Sequence, residues 1–212
     1  MSTATSRPRV RKSPQQRSEE IYAAATALAR EGGLSALTLR AVATRAGVAS
    51  GLVAHYASSM DELVARTFHD LVGAELAEVC AEIAAEPGAA ARLARMIATV
   101  LRRDHNDITL VWVDAWSLGR SNEALATAIE EQMAAWQDAI TEIILVGESE
   151  GAFRVDDAAA VAWQLLAMID GIAAHALTRG TDAALFATRL AQASETLVGA
   201  EPDTVRRHLA AP

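Results

Sequence analysis

Residues 31–63, with the sequence EGGLSALTLRAVATRAGVASGLVAHYASSMDEL, constrain the fold of this chain more than any other segment. Thr38 can cap a short helix with apolar residues on one face, and Gly47 breaks that helix and supplies a turn. A second short helix over about 49–55 follows the turn. Two short helices joined in this way predict a helix-turn-helix, which places its second helix in the major groove of DNA.

The distribution of charge supports a DNA-binding head. The net charge of −8 by itself argues against binding to nucleic acid. Residues 1–57, however, carry eight Arg and Lys against three Asp and Glu, a net charge of +5, whereas residues 58–212 carry eleven Arg against twenty-four Asp and Glu, a net charge of −13. A basic head on an acidic body indicates that the head meets phosphate and the body does not.

The remainder of the chain is predicted to be helical. Ala, Leu, Glu and Arg dominate, and no stretch alternates apolar and polar residues in the manner of a strand. The pattern therefore predicts an all-α fold of about nine helices. Its parts are a disordered basic tail over 1–12, a helix-turn-helix DNA-binding domain over 13–60 (the head), a helical ligand-binding and dimerisation domain over 61–200 (the body), and a C-terminal tail over 201–212.

The predicted helices of the body are separated by recognisable breaks. Ser59 begins a capping box for a long helix that ends near residue 85, ahead of Pro87 and Gly88. Further helices are predicted at about 89–103, 107–118, 122–150, 157–178 and 182–198.

The sequence points to a cytoplasmic protein that needs no cofactor. No apolar run approaches 18 residues, so we expect no transmembrane helix, and the polar, basic N-terminus lacks the apolar core of a secretory signal. Cys80 is the single cysteine and cannot form an intramolecular disulfide. The five His show no metal-ligand spacing, and there is no glycine-rich phosphate loop, so we expect neither a metal nor a nucleotide.

The segment LTLRAVATRAGVASGLVAHY, with EGG before it and DEL behind it, resembles the TetR family of one-component transcriptional regulators, and its GLVAHY resembles the BetI-like branch. TLVWVDAWSLGRSNEAL, GAFRVDD and LLAMIDGIAAHAL resemble the body of that branch. The resemblance covers nearly residues 13–198. It implies a repressor, rather than an activator, that binds a palindromic operator as a homodimer and releases it when a small molecule binds the body. Ala57 and Met60 stand where the family usually has Phe and Lys, which removes one packing residue and one phosphate contact.

Seven residues of the head are candidates for contact with double-stranded DNA. Gly51 permits close approach of the backbone, Ser50 can donate a hydrogen bond, and Leu52 can touch a thymine methyl. Thr38 lies at a helix start, which attracts phosphate, and the family resemblance assigns phosphate contacts to His55 and Tyr56. The alternatives are that Thr38 is only a helix cap and Tyr56 only a packing residue. The candidates are Thr38, Arg40, Ser50, Gly51, Leu52, His55 and Tyr56.

Aromatic residues indicate a ligand site in the body. Trp112 and Trp116 are four residues apart and share a helix face, from which Asp114 points away. Asp170 follows Trp163 by seven residues and shares its face. Four Trp and a carboxylate predict a box for a cationic or aromatic small molecule, unless the Trp side chains only fill an Ala-rich core. The candidates are Trp112, Trp116, Trp136, Trp163 and Asp170.

The last two long helices carry apolar stripes that predict a homodimer interface. A two-fold dimer would double the DNA site, and this predicts a palindromic operator. The same stripes could instead belong to the intramolecular core. The candidate interface residues are Val161, Leu165, Met168, Ile172, Leu185, Leu190 and Leu197.

Two other functions, a hydrolase and a protein-interaction module, are compatible with parts of the sequence. The segment GESEG at 147–151 matches the G-x-S-x-G elbow of hydrolases, but the elbow needs a strand before Ser149 and here a helical run ends there. We therefore expect no enzymatic activity. The second alternative is a helical protein-interaction module with a degenerate DNA-binding head, which Ala57 and Met60 leave open.

Overall fold

The computed structural model describes residues 13–102, 105–178 and 183–209, and within these ranges the chain forms nine α-helices and no strand. The predicted all-α fold is confirmed, whereas the predicted disorder of residues 1–12 lies outside the described residues. The helices are α1 (Pro14–Gly32), α2 (Leu39–Ala46), α3 (Ser50–Tyr56), α4 (Met60–Ala84), α5 (Ala89–Val100), α6 (Asn106–Leu118), α7 (Glu123–Ser149), α8 (Ala158–Thr178) and α9 (Ala183–Leu197).

Local capping determines where the helices of the head begin and end. The side chain of Ser13 accepts a hydrogen bond from the backbone N–H of Gln16 at 3.2 Å, and the Gln16 side chain accepts one from the backbone N–H of Ser13 at 2.9 Å, as in the predicted capping box. Thr38 caps α2 by accepting a hydrogen bond from the backbone N–H of Ala41 at 3.1 Å. Gly47 ends α2 in the left-handed region, with φ of 64°, and the chain turns directly into α3. The predicted helix-turn-helix is thus present.

The long helix α4 joins the head to the body. Ser59 caps it by accepting a hydrogen bond from the backbone N–H of Glu62 at 3.0 Å. It packs against α1 of the head and against α5, α6 and α7 of the body. Leu63 near its start and Val79 near its end are both fully buried in one continuous core. Head and body therefore share a rigid element, and a boundary near residue 60 coincides with the start of that element.

A second connection between head and body runs through α6. The carboxylate of Asp114 accepts a hydrogen bond from the backbone N–H of Ser35 at 2.8 Å, and Asp107 pairs with Arg30 at 2.6 Å. Gly33 has φ of 76° and ψ of 179°, a conformation that residues with a side chain rarely adopt. A side chain on Gly33 would also overlap the carboxylate of Asp114. The turn after α1 is therefore fitted closely to α6.

The segment that follows α9 packs against the body. Glu195, which is 4 % exposed, accepts hydrogen bonds from the backbone N–H groups of Val205 and Arg206, each at 2.9 Å, and from the Arg206 guanidinium at 3.0 Å. Val205 is fully buried. Residues 201–209, which sequence patterns assign to a tail, are consequently part of the folded body.

Candidate DNA-binding surface and ligand cavity

The recognition helix α3 turns one face to the core and another to solvent. Val53 is fully buried and anchors the helix, while Ser50, Gly51 and His55 are exposed. No atom lies within 4 Å of the position that a Cβ on Gly51 would occupy, so another molecule can approach the backbone there. The helix therefore presents the small and polar residues that contact with DNA requires.

The other four candidates lie beside this exposed face. Thr38 and Arg40 are exposed at the start of α2. The hydroxyl of Thr38 caps this helix, as the alternative to a phosphate contact predicts. Leu52 and Tyr56 are half-buried, and the Tyr56 ring lies edge-on to the ring of His55 at 5.1 Å between centroids. Five of the seven candidates are thus exposed, and Tyr56 also packs against the core.

A cavity in the body lies among α4, α5, α6, α7 and α8. The empty space between its lining atoms measures about 520 Å³ when the open mouth is included. The centre of a water molecule can lie in only about 40 Å³ of that space. The cavity is therefore narrow. Its lining residues are Glu75, Val100, Thr109, Trp112, Trp116, Met133, Trp136, Leu166, Ile169, Asp170 and Ala173.

Three of the four predicted Trp form the aromatic wall of this cavity. The rings of Trp112 and Trp116 lie 5.7 Å apart at 34°, and Trp112 meets the buried ring of Phe68 on α4 edge-on at 5.0 Å. Trp136 is 4 % exposed, and its indole N–H has no hydrogen-bonding partner in the described part of the chain. The wall thus joins α6 to the helix that carries the head.

Two carboxylates give the cavity its polarity. Glu75 on α4 lies 2.9 Å from Nδ1 of His105, which stands at the start of α6. Burial raises the pKa of Glu75, and the contact with His105 opposes that shift. Burial, and the nearby charge of Glu75, raise the pKa of Asp170 to about 7. The Asp170 carboxyl is therefore only partly ionised near neutral pH.

Trp163 is not brought together with the other three Trp side chains at the cavity. Its side chain is 57 % exposed, and it does not line the cavity. Asp170 lies two turns further along α8, where the same side of the helix is covered by the body. Glu75 was missed, although a carboxylate within the apolar stripe of α4, between Leu71 and Val79, was a detectable signal.

The predicted dimer stripe is mostly turned inward. Leu165 and Leu190 are buried within the chain, where they belong to the intramolecular core. Leu185 is 52 % exposed. Val161, Met168, Ile172 and Leu197 are half-buried against the core.

A different side of α8 is open to solvent. By length and mean hydropathy (1.4) α8 is apolar enough to cross a membrane, yet only 22 % of that stretch is buried within the chain. The solvent-exposed side, called here the α8 face, carries small and apolar residues together with the polar residues Gln164 and His175. It consists of Ala160, Trp163, Gln164, Ala167, Gly171 and His175.

The geometry of Ser149 does not match a nucleophile elbow. Ser149 is the last residue of α7, and its hydroxyl donates a hydrogen bond to the backbone carbonyl of Val146 at 2.7 Å. A helix, rather than a strand, precedes it. Within the described ranges no group of three His, Cys, Asp or Glu residues could hold a metal ion.

Comparison with known proteins identifies the family. The model of the BetI-type transcriptional repressor C-terminal domain matches residues 89–209, more than half of the chain, and the model of bacterial regulatory proteins of the tetR family matches residues 21–67. The chain belongs to the TetR family, in its BetI-like branch. Members of the TetR family are transcriptional regulators that bind DNA and small molecules, and they are not enzymes. No curated protein matches the chain.

Solved structures share the TetR-family fold along almost the whole chain. A transcriptional regulator from Rhodococcus sp. RHA1 is 26 % identical, with 89 % of this chain and 95 % of that chain covered and a TM-score of 0.65. A protein of Saccharomonospora viridis, solved in complex with choline, is 21 % identical, with 83 % and 94 % covered and a TM-score of 0.73. The fatty acid degradation regulator of Bacillus halodurans is 17 % identical, with 89 % and 97 % covered and a TM-score of 0.69.

Proposed function

We propose that this TetR-family protein is a cytoplasmic repressor that binds a palindromic operator as a homodimer and releases it when a small molecule occupies the body cavity. One observation carries the proposal: α6 contacts the cavity and the head at once. Trp112 and Trp116 on α6 line the cavity, while Asp107 and Asp114 of the same helix hold Arg30 and the backbone of Ser35.

The exposed side of the head would bind DNA. Ser50 and Gly51 on α3 would enter the major groove, with Leu52 against a thymine methyl. Thr38, Arg40, His55 and Tyr56 would hold phosphates and so set the register of the head on the duplex. These assignments are supported by the exposure of α3 and of the start of α2.

The α8 face supports the proposal of a homodimer. An exposed helix side with Trp163, Ala167 and Gly171 allows a second helix to approach closely, and Leu185 on α9 extends the apolar surface. A second copy of the chain would bury these side chains around a two-fold axis, which sets the spacing of the two recognition helices.

The effector we propose is a cation, because aromatic faces and carboxylates line the cavity together. The related structure that contains choline supports this class of ligand. Since the cavity is narrow, a bound ligand must displace lining side chains. Movement of Trp112 would be passed to Phe68 on α4 and, through α6, to the turn at Ser35. The ligand acts only to the extent that it binds the two arrangements with different affinity.

The proposal is tested with DNA from the region upstream of the protein's own gene. Binding is measured by fluorescence anisotropy at about 50 mM and about 200 mM salt, against scrambled competitor. Arg40→Ala is compared with Arg120→Ala, which removes the same charge from an exposed position of the body. We expect selective, salt-sensitive binding by a dimer that Arg40→Ala weakens and Arg120→Ala does not. Binding without preference over competitor would contradict the repressor proposal and favour a protein-interaction module.

A further inference from the structure

Within the described residues, nothing balances the charge of Asp170. Asp170 lines the cavity, and in that part of the chain no group donates a hydrogen bond to it or forms an ion pair with it. None of the described side chains that line the cavity is cationic. An ionised carboxylate in such surroundings is poorly solvated, and a bound ligand that brings positive charge and hydrogen-bond donors would stabilise it.

The other carboxylate is already engaged. Glu75 contacts His105 at 2.9 Å, and Arg30 and Asp107 add weaker charges of opposite sign near it. The lining residues from α5 and α7 are uncharged. A ligand's ammonium group would therefore be attracted most strongly to Asp170, with the Glu75–His105 pair as its neighbour.

An independent observation shows that the cavity wall has further hydrogen-bonding capacity. The indole N–H of Trp136 is buried, lies on a residue that lines the cavity, and has no partner in the described part of the chain. Buried polar groups in native proteins are nearly always hydrogen-bonded, so this unpartnered donor indicates that the ligand also carries a hydrogen-bond acceptor, which an ammonium group does not itself supply.

We propose that the effector is a protonated amine whose N–H groups donate hydrogen bonds to the carboxylate of Asp170, rather than a quaternary ammonium held by aromatic faces alone. This inference rests on the proposed function, because it names the effector class of the same cavity. A quaternary ammonium has no N–H group and would leave the Asp170 oxygens without a donor.

The proposal implies that ligand binding is linked to pH. The pKa of Asp170 in the free protein is about 7, so a ligand that requires the carboxylate must first compete with a proton. Affinity should therefore rise by about tenfold per pH unit below pH 7 and level off above it. Glu75, paired with His105, is the other ionisable group that lines the cavity, and replacement of Asp170 separates the contribution of this pair from that of Asp170.

The test uses three compounds that share one skeleton: benzylamine, benzyltrimethylammonium and benzyl alcohol. Binding to the full-length protein is measured without DNA, by Trp fluorescence and isothermal titration calorimetry between pH 5.5 and 8. Asp170→Asn keeps the shape and removes the charge. Asp138→Asn makes the same change on the exposed side of α7 and serves as the matched control.

We expect benzylamine to bind at least about tenfold more tightly than either analogue at pH 8, since a hydrogen bond to a charged group is worth this much. Asp170→Asn should abolish both that preference and the rise with pH, whereas Asp138→Asn should keep both. Equal or tighter binding of benzyltrimethylammonium, a preference that survives in Asp170→Asn, or no binding of any of the three would each overturn the inference.

Release of operator DNA is measured separately. If benzylamine binds with the expected preference while the operator stays bound, the inference about the cavity stands and ligand-induced release fails. If another class of compound releases the operator and the amine does not bind, the repressor proposal stands and the amine inference fails.

Discussion

Replacement of Gly33 by Ala tests whether the turn after α1 is fitted to α6. Gly33 has φ of 76° and ψ of 179°, and a Cβ there would lie 3.1 Å from Cγ of Leu110 in addition to overlapping the carboxylate of Asp114. The substitution therefore imposes two separate costs. One is backbone strain, about 1–3 kcal/mol for a residue with a side chain in this region. The other is displacement of Asp114 from the backbone N–H of Ser35.

The expected magnitude follows from these two costs. The lost hydrogen bond is partly exposed and contributes about 1 kcal/mol, so Gly33→Ala should lower the free energy of unfolding by about 2–4 kcal/mol. This is a large share of the roughly 5–15 kcal/mol that is typical of a folded domain. Urea unfolding followed by circular dichroism measures the change.

A double-mutant cycle separates the strain from the overlap. Asp114→Ala alone removes the hydrogen bond and should cost about 1 kcal/mol. In the Gly33→Ala/Asp114→Ala double variant the overlap disappears, so the two changes should cost less together than their sum, by about 1 kcal/mol or more. If the two changes in the free energy of unfolding simply add, the contact with Asp114 is not the reason that position 33 requires Gly.

Three further predictions concern DNA binding, assembly and pH. Tyr56→Ala and Arg40→Ala should each lower affinity for all DNA sequences, and Arg40→Ala, which removes a cation, should also reduce the slope of log affinity against log salt by about 1; an unaltered slope in Arg40→Ala would contradict its phosphate contact. Trp163→Asp should convert the dimer to monomers in analytical ultracentrifugation without loss of helicity, because this side chain is 57 % exposed in the single chain; an intact dimer would place the interface elsewhere. The raised pKa of Asp170, about 7 against 3.8 ordinarily, means that the folded state holds the proton more tightly, so stability falls as pH rises from about 4 to 7. Asp170→Asn removes that loss and should raise the melting temperature more at pH 8 than at pH 5; equal gains would count against a buried, ionising carboxyl.

Local sequence was sufficient to predict the helices and the head. Capping residues and glycines act within a few positions of where they stand, so Ser13, Thr38, Gly47 and Ser59 predicted helix ends that the structure confirms to within a residue or two. The family match confirms the helix-turn-helix for the same reason, because its signature is a contiguous stretch of residues.

Tertiary packing alone decided which residues meet in the cavity and which face solvent. Nearly all sides of α8 are apolar or small, so periodicity could not distinguish the side that packs against α6 and α7 from the exposed one. Trp163 is 57 % exposed and Leu165 is 1 % exposed, although both belong to this apolar helix. Glu75 and Asp170 are 95 residues apart in the chain and share a cavity only because α4 and α8 pack around the same Trp side chains. Proximity of this kind depends on how helices pack, and a pattern within one helix does not contain it.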